Sequence, residues 1–184
     1  MKFTPQSISE VLLIEPNINE DNRGCFLETY RQDLLDEAIG YKVNFVQDNE
    51  SKSLKGVLRG LHYQLPPYTQ AKLVRVIEGS VLDVVVDIRK SSLTFGQHVS
   101  LELTEQNKHQ IFVPHGFAHG FIVLSNSATF AYKVDNYYAP DYERGIAFND
   151  AQLKINWQLS AEELQISSKD KIHPSLANAK DLLD

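Results

Sequence analysis

The order of apolar and polar positions predicts a chain built mainly of short strands. Apolar side chains alternate with polar ones over much of residues 41–157, and turn residues such as Gly79-Ser80 and Pro114-His115-Gly116 separate the segments. Short strands at this spacing favour an all-β, mainly antiparallel sandwich or barrel. Strands are predicted at 11–14, 24–30, 44–47, 56–63, 72–78, 81–87, 96–103, 110–113, 119–123, 128–134 and 146–148.

The two ends of the chain carry short helical signals. A helix is predicted over 31–39, ending at Gly40. Ser160 followed by Glu163 forms a capping box, which predicts a helical turn there, and a small terminal helix is predicted from Pro174 onward. We expect one domain over 1–184, with N-terminal strands and a short helix in 1–40, the β core at about 41–157, and a C-terminal loop and short helices in 158–184.

The most apolar segment is 81–88, which is predicted to lie deep in the core. Asp83 and Asp87 fall on one face of this strand because side chains repeat every two residues. Asp83 is therefore either a pocket residue or a carboxylate near the strand rim, and the spacing alone leaves both interpretations open.

Composition and charge exclude several classes of function. The 184 residues carry a net charge of −6 and no Lys/Arg tract, so nucleic acid is not expected as a partner. A single cysteine, Cys25, rules out an internal disulfide and a cysteine-rich zinc site. No apolar run approaches the ~20 residues that a membrane span needs, and the start lacks the apolar core of a signal peptide. We therefore expect a cytoplasmic protein without a membrane partner.

Basic and hydrogen-bonding side chains stand out in the stretch 58–75. Arg59, His62, Gln64 and Lys72 alternate with apolar residues, so a strand there is interpreted as presenting them on one face. A solvent-facing sheet surface would also account for any one of them. Four such groups in an acidic chain favour a site for an anionic compound.

A second motif resembles the metal-binding jelly-roll proteins called cupins. Their Pro-x-Gly-x-x-His element is present as 114–119, ending at His119. The other cupin ligands would be supplied around His62, but Gln64 and Lys72 stand where further ligands are needed, and a protonated lysine cannot coordinate a cation. We predict cupin architecture with no metal and no other cofactor. A metal-dependent cupin dioxygenase is the alternative.

Acid–base chemistry on a carbonyl compound suits the remaining groups. His62 is the candidate base because imidazole titrates near neutral pH, and Lys72 could stabilise an enolate oxygen. Tyr132 is the candidate acid on the opposite side, although a strand tyrosine is also a common core or rim residue. Tyrosines at 137, 138 and 142 could stack on a planar ring, or form a hydrophobic lid or subunit contact.

These motifs together resemble one family, the dTDP-4-dehydrorhamnose 3,5-epimerases. The matches run in order along nearly the whole chain. They are Asp21-Asn22-Arg23-Gly24 with Phe26 and Glu28, Gln47-Asp48-Asn49, 57–64, Lys72-Leu73-Val74, Gly79-Ser80-Val81, Asp87-Ile88-Arg89, Thr94-Phe95-Gly96, 113–121, Tyr132-Lys133, Tyr137-Tyr138 and Ser168-Lys169-Asp170.

The resemblance implies a metal-free homodimer with a double-stranded β-helix (cupin jelly-roll) core and short peripheral helices. Its implied substrate is a dTDP-4-keto-6-deoxy sugar, which is inverted at C3 and C5. It implies His62 as base, Asp170 as its partner, Lys72 facing the C4 oxygen and Tyr132 as proton donor. Tyr138 matches the ring that stacks on thymine. The other implied substrate-binding residues are Arg23, Glu28, Gln47, Asp48, Asn49, Arg59, His119, Glu143 and Lys169.

Two further hypotheses remain open at this point. A relative that inverts one carbon only, or isomerises the keto position, would share the same residues. A sugar-nucleotide binding protein without chemistry would keep the pocket, but it has no use for both a base and an acid.

Overall fold

A computed structural model describes residues 1–184 as two facing β-sheets with short helices around them. Sheet I has the strand order β1-β2-β10-β7-β12-β5 and sheet II has the order β13-β6-β11-β8-β9. The strands are β1 (Lys2–Pro5), β2 (Leu12–Glu15), β3 (Ile18–Asp21), β4 (Gly24–Leu27), β5 (Gln47–Leu54), β6 (Val57–Gln64), β7 (Lys72–Glu78), β8 (Ser80–Asp87), β9 (His98–Thr104), β10 (Gln110–Val113), β11 (Phe117–Val123), β12 (Ser127–Val134), β13 (Glu143–Gly145) and β14 (Gln165–Ile166).

Strand connectivity confirms the predicted jelly roll of the cupin type. From β5 to β13 successive strands alternate between the sheets, except that β8 and β9 are neighbours in sheet II. Every strand pairing is antiparallel except that of β14 with β6. Strands β3 and β4 form a separate two-stranded hairpin. Residues 81–88 are nearly all fully buried, as predicted, in the middle of sheet II. No helix is long and apolar enough to cross a membrane, and the expected cytoplasmic location stays a prediction.

The only α-helix, α1 (Gln32–Ile39), lies where the sequence predicts it. Gly40 ends it in the left-handed conformation, with its N–H bonded to Asp36 O at 2.9 Å. The capping box between Ser160 and Glu163 is also confirmed and begins a 3₁₀ turn at Ala161–Glu163. Further 3₁₀ turns lie at Pro140–Tyr142, Asp170–Ile172 and Leu176–Asn178.

Two strand predictions are wrong. Residues 44–46, predicted as a strand, lie outside the strands. The strand β5 begins only at Gln47 and is polar over most of its length. As an edge strand, β5 is fixed by backbone pairing to β12 along eight residue pairs rather than by an apolar pattern. The strand predicted at 146–148 is instead β13, three residues earlier, at the edge of sheet II.

Apolar side chains fill the space between the two sheets. Phe130 from sheet I stacks on Phe121 from sheet II with ring centroids 4.1 Å apart. Each fully buried side chain of this size contributes roughly 1.5–3 kcal/mol through its removal from water. A second core lies behind sheet II, where Trp157 and Leu176 from the C-terminal segment cover β6, β8 and β11. The C-terminal segment is thereby held against the strand that carries His62.

A register shift between β6 and β11 decides which side chains share a face. His119 pairs with His62, but Phe121 pairs with Arg59, so β6 has one residue more than β11 between the two pairs. Strict alternation would place Arg59 and His62 on opposite faces, and the extra residue brings both to the same cavity.

Two glycines allow the strands to approach each other at this bulge. Gly60 has φ +131°, and a β-carbon there would lie 2.5 Å from the α-carbon of Gly120. A β-carbon on Gly120 would in turn lie 2.7 Å from the carbonyl oxygen of Arg59. Any side chain at either position would therefore force β6 and β11 apart and disturb the placement of His62.

Candidate active site

A cavity of about 590 Å³ lies between the two sheets. Sheet II supplies Arg59, His62 and His119, sheet I supplies Lys72 and Tyr132, and the C-terminal segment closes one side with Asp170. The stacked pair Phe121 and Phe130 lines its apolar part. Of the predicted site residues, the cavity is lined by Gln47, Asn49, Arg59, His62, Lys72, His119, Tyr132, Tyr138, Glu143, Lys169 and Asp170.

His62 is held by a carboxylate far away in the sequence. Its Nε2 lies 2.7 Å from Oδ1 of Asp170, whose side chain is almost fully buried. Burial acts to raise the pKa of Asp170, but hydrogen bonds from His62 and Ser167 more than offset this effect and hold the pKa below its usual value. A carboxylate at this position accepts the Nε2 proton and leaves the Nδ1 lone pair free to act as a base.

A second histidine–carboxylate pair stands beside the first. His119 is the cross-strand neighbour of His62, and its Nε2 lies 2.8 and 3.0 Å from the two carboxylate oxygens of Asp83. Asp83 is fully buried and belongs neither to the cavity lining nor to the rim. Sequence reasoning did not connect it with His119, although a buried acid in an apolar strand indicates a basic partner nearby.

Lys72 enters the cavity from the start of β7. Burial lowers the pKa of its ammonium to about 8, against the opposing effect of the carboxylates of Asp83 and Glu143. A lysine with this pKa is still largely protonated at pH 7, and it is only weakly neutralised by fixed partners. It is therefore available to stabilise negative charge that develops on a bound molecule.

Tyr132 enters the cavity from β12 in sheet I, the sheet opposite to that of His62. Burial raises the pKa of its hydroxyl, Glu143 raises it further, and Arg59 acts in the other direction. The hydroxyl therefore stays protonated at neutral pH and can donate a proton. The geometry thus puts the predicted base and the predicted acid on different walls of one cavity.

The Glu143 carboxylate pairs with two side chains at the cavity mouth. Its Oε2 accepts a hydrogen bond from the Tyr138 hydroxyl at 2.7 Å and also pairs with the ammonium of Lys169. Burial acts to raise the pKa of Glu143, but these two partners bring it below the usual value. The same hydrogen bond is the main reason that the pKa of Tyr138 rises to about 12. The three side chains together form a polar rim.

Gln64 does not line the cavity, contrary to the expectation that it shares a face with the other polar residues of β6. Its side chain is buried, donates to the carbonyl oxygens of Tyr68 and Tyr137, and accepts the N–H of Ala139 at 2.7 Å. Gln64 therefore anchors the loop that carries Tyr138, so its contribution to the site is indirect.

Three predicted binding residues lie outside the cavity of this chain. Arg23 sits on the exposed β3–β4 hairpin and is paired with Asp21, and Glu28 follows that hairpin and is also exposed. Asp48 lies between two cavity residues of β5, so alternation turns it to the other face, where it contacts Lys133 at 2.8 Å. Their assignment to substrate binding stays a prediction.

The residues at cupin metal-ligand positions form a poor donor set for a divalent cation. His62 and His119 are adjacent, but their Nε2 atoms face two different carboxylates, Asp170 and Asp83. Gln64 is directed to loop backbone, and Lys72 brings a positive charge. The arrangement fits an anionic, carbonyl-bearing molecule better than a metal ion.

Comparisons with known proteins show which family the chain belongs to. The family model described as dTDP-4-dehydrorhamnose 3,5-epimerase matches residues 5–178. The chain is 52% identical to the dTDP-4-dehydrorhamnose 3,5-epimerase of Shigella flexneri over 170 residues, which cover 92% of this chain and 93% of the relative. It is 36% identical over 181 residues to a dTDP-4-dehydrorhamnose 3-epimerase of Streptomyces niveus, covering 98% and 86% of the two chains.

Solved structures show the same relationship. The dTDP-6-deoxy-D-glucose-3,5-epimerase of Legionella pneumophila, solved in complex with dTDP-4-keto-L-rhamnose, superposes with a TM-score of 0.94 at 48% identity, covering 99% of this chain and 97% of that one. Since both the sequence relationship and the fold extend over almost the entire chain, this protein belongs to the dTDP-4-dehydrorhamnose 3,5-epimerase family.

Proposed function

We propose that this chain inverts C3 and C5 of dTDP-4-dehydro-6-deoxy-D-glucose and so makes dTDP-4-dehydro-L-rhamnose for dTDP-L-rhamnose biosynthesis. The observation that carries the proposal is the placement of His62 and Tyr132 on opposite sheets around one cavity, which Lys72 also lines. Inversion at a carbon needs a base on one side and an acid on the other, and this cavity has both.

The reaction begins with proton removal next to the ketone. The C4 carbonyl acidifies the hydrogens on C3 and C5, and His62 Nδ1 takes one of them while Asp170 stabilises the resulting imidazolium. The negative charge moves to the C4 oxygen, where the Lys72 ammonium stabilises the enolate. Tyr132 then delivers a proton to the other face of the same carbon, and the centre is inverted.

The rest of the cavity suits a nucleoside diphosphate. Arg59, whose guanidinium is fixed by two bonds of 3.2 Å to the Ser53 hydroxyl, and Lys169 can bind diphosphate oxygens. The exposed ring of Tyr138 is placed at the mouth, where it can stack on thymine. His119, Gln47 and Asn49 offer hydrogen bonds to the sugar hydroxyls. These assignments are supported by their common location around the cavity.

Deuterium exchange followed by proton NMR tests the proposed function directly. The chain is incubated in deuterated buffer with dTDP-4-keto-6-deoxyglucose, and both C3 and C5 are expected to acquire deuterium while the sugar is converted. A chain that binds the nucleotide sugar without exchange at either carbon is a binding protein, and that result removes the proposal.

A single-site epimerase is the second candidate, because a 3-epimerase is among the chain's relatives. Both activities need the same base, acid and lysine, so the cavity residues do not separate them. Deuterium exchange at only one of the two carbons would show that the chain is a single-site epimerase. The higher identity to relatives described as 3,5-epimerases favours exchange at both.

The pKa of Lys72 predicts how the activity decreases at alkaline pH. Its ammonium has a pKa of about 8, so the charge that stabilises the enolate is lost as the pH rises through that value. We expect kcat/KM to fall above about pH 8, and Lys72→Arg to be slower but to keep its activity to higher pH, because a guanidinium stays charged. If kcat/KM of Lys72→Arg still falls at the same pH as that of the unmodified chain, the decrease is caused by the titration of another group.

The chain is proposed to act as a homodimer. The β3–β4 hairpin carries Arg23, lies apart from the cavity and exposes 69% of Phe26, which is unusual for a large aromatic side chain. A dimer in which this hairpin reaches the partner's cavity accounts for both observations. A molar mass of one chain in light scattering would contradict it.

Mixing two impaired variants at low substrate concentration tests the exchanged hairpin. His62→Ala lacks the base and Arg23→Ala lacks the hairpin arginine, so each homodimer is impaired in both cavities. In a mixed dimer, one cavity receives both intact residues, and activity is expected to reappear on mixing. If no activity appears when mixed dimers are shown to form, the arginine serves its own chain.

A further inference from the structure

The structure places a second histidine behind the proposed base. His173 lies in the C-terminal segment, and its ring is edge-on to that of His62, with centroids 5.6 Å apart. Its Nε2 is 3.4 Å from Oδ1 of Asp170, the same oxygen that faces His62. The proposed epimerisation assigns roles to His62, Asp170, Lys72 and Tyr132 and none to His173.

The imidazole of His173 is fixed but incompletely satisfied. Its Nε2 is buried and has no hydrogen-bond partner in the protein. The ring lies against Gly145, where a β-carbon would stand 2.5–2.6 Å from three ring atoms, and the next residue, Pro174, accepts the N–H of Ala147 at 2.8 Å. Buried polar atoms are normally bonded, and an unpaired one is often explained by an ion or water.

We infer that His62, Asp170 and His173, the His–Asp–His cluster, form a binding site for a divalent transition-metal ion of the zinc class. One ligand atom from each residue lies within 4.8 Å of the others. Two imidazoles and a carboxylate are a common zinc donor set, and bond lengths of about 2.0 Å in a tetrahedron separate neighbouring ligands by about 3.3 Å. Asp170 Oδ1 lies 2.7 Å from Nε2 of His62 and 3.4 Å from Nε2 of His173, so the two distances lie on either side of this value.

This site differs from the cupin metal position. The cupin ligands would point into the substrate cavity from His62 and His119, whereas His173 does not line that cavity and lies 3.4 Å from Asp170 Oδ1. The cluster contains no lysine, and it brings one carboxylate charge to the cation. Access is provided through the cavity, because both His62 and Asp170 line it.

Metal binding here would switch off the proposed base, a consequence that rests on the proposed function. Zinc takes the Nε2 lone pair of His62, so the imidazole proton must move from Nε2 to Nδ1. The atom that removes the substrate proton then has no lone pair, and Asp170 is withdrawn from the imidazolium it would stabilise. Zinc is therefore expected to inhibit the enzyme reversibly while leaving the nucleotide-binding groups intact.

Zinc binding is measured first, by equilibrium dialysis of the full chain, independently of activity. One zinc ion per chain is expected, and Co²⁺ in its place should give the visible absorption of a four-coordinate site. His173→Asn should weaken zinc binding at least about 10–100-fold, as loss of groups that hold a metal does. His173→Cys, which restores a ligand, should bind zinc tightly, and His98→Asn on the edge strand β9 serves as the matched control.

Exchange of deuterium at C3 and C5 is then followed with and without zinc. Saturating zinc should suppress exchange more than tenfold in the unmodified chain, and EDTA should restore it, whereas His173→Asn should resist zinc at the same concentration. Zinc binding or inhibition that is unchanged in His173→Asn would overturn the inference. A chain that binds zinc through His173 but shows no exchange at all would count against the proposed function and leave the metal site standing.

Discussion

Replacement of His62 by alanine is expected to abolish deuterium exchange at both C3 and C5. His62 is the only histidine that both lines the cavity and contacts Asp170, at 2.7 Å. Without it, neither the C3 proton nor the C5 proton can be removed. We expect kcat to fall by about 10⁴-fold or more, since the base is required in every turnover. Proton NMR in deuterated buffer measures the loss at each carbon separately.

His98→Ala is the matched control for this variant. His98 lies on the edge strand β9 outside the cavity, so its loss tests whether removal of a histidine alone disturbs activity. Dissociation constants for dTDP should stay close to that of the unmodified chain in both variants. Residual exchange at one carbon in His62→Ala would show that a second base serves that position, and the single-base mechanism would have to be abandoned.

Replacement of Tyr132 by phenylalanine is expected to separate proton removal from inversion. His62 is intact, so it can still take a proton and return a deuteron to the same face of the carbon. Protonation from the opposite face is lost, and product formation should fall by about 10²–10⁴-fold. The expected NMR result is slow deuterium incorporation into substrate whose coupling constants show the original configuration.

Tyr41→Phe provides the corresponding control, because Tyr41 is an exposed loop residue that does not line the cavity. The contrast between exchange and inversion is what identifies a proton donor. If Tyr132→Phe loses both to the same extent, the hydroxyl acts before or during proton removal. If inversion continues at the normal rate, another group donates the proton.

The sequence was sufficient where the chemistry depends on residue type and local pattern. His62, Lys72 and Tyr132 were predicted because an imidazole, an ammonium and a phenol are the groups that enolate chemistry requires, and all three line one cavity. An all-β sandwich or barrel followed from short alternating strands with turn residues between them, whereas the jelly roll in particular was predicted from the cupin motif at 114–119 and the family resemblance. The residue types and the strand pattern both depend only on positions within a few residues of one another, and these can be taken directly from the sequence.

Features that depend on long-range contacts could not be derived in this way. The contact of His62 with Asp170 spans 108 residues and was expected only from the family resemblance. The shared face of Arg59 and His62 depends on the bulge opposite β11, which breaks the period of two. His173 was not singled out because nothing in its own segment reveals that it packs on Gly145.

The cavity also has a consequence for how the chain matures. Its lining is drawn from residue 47 to residue 170, so a chain growing from its N-terminus holds His62, Lys72 and Tyr132 long before Asp170 exists. Contacts between such distant segments form late and slowly during folding. Until the C-terminal segment docks behind sheet II, the base lacks its carboxylate. Docking of the segment that carries Asp170 is therefore the step that completes the proposed catalytic pair, although this segment lies beyond the last strand, β14.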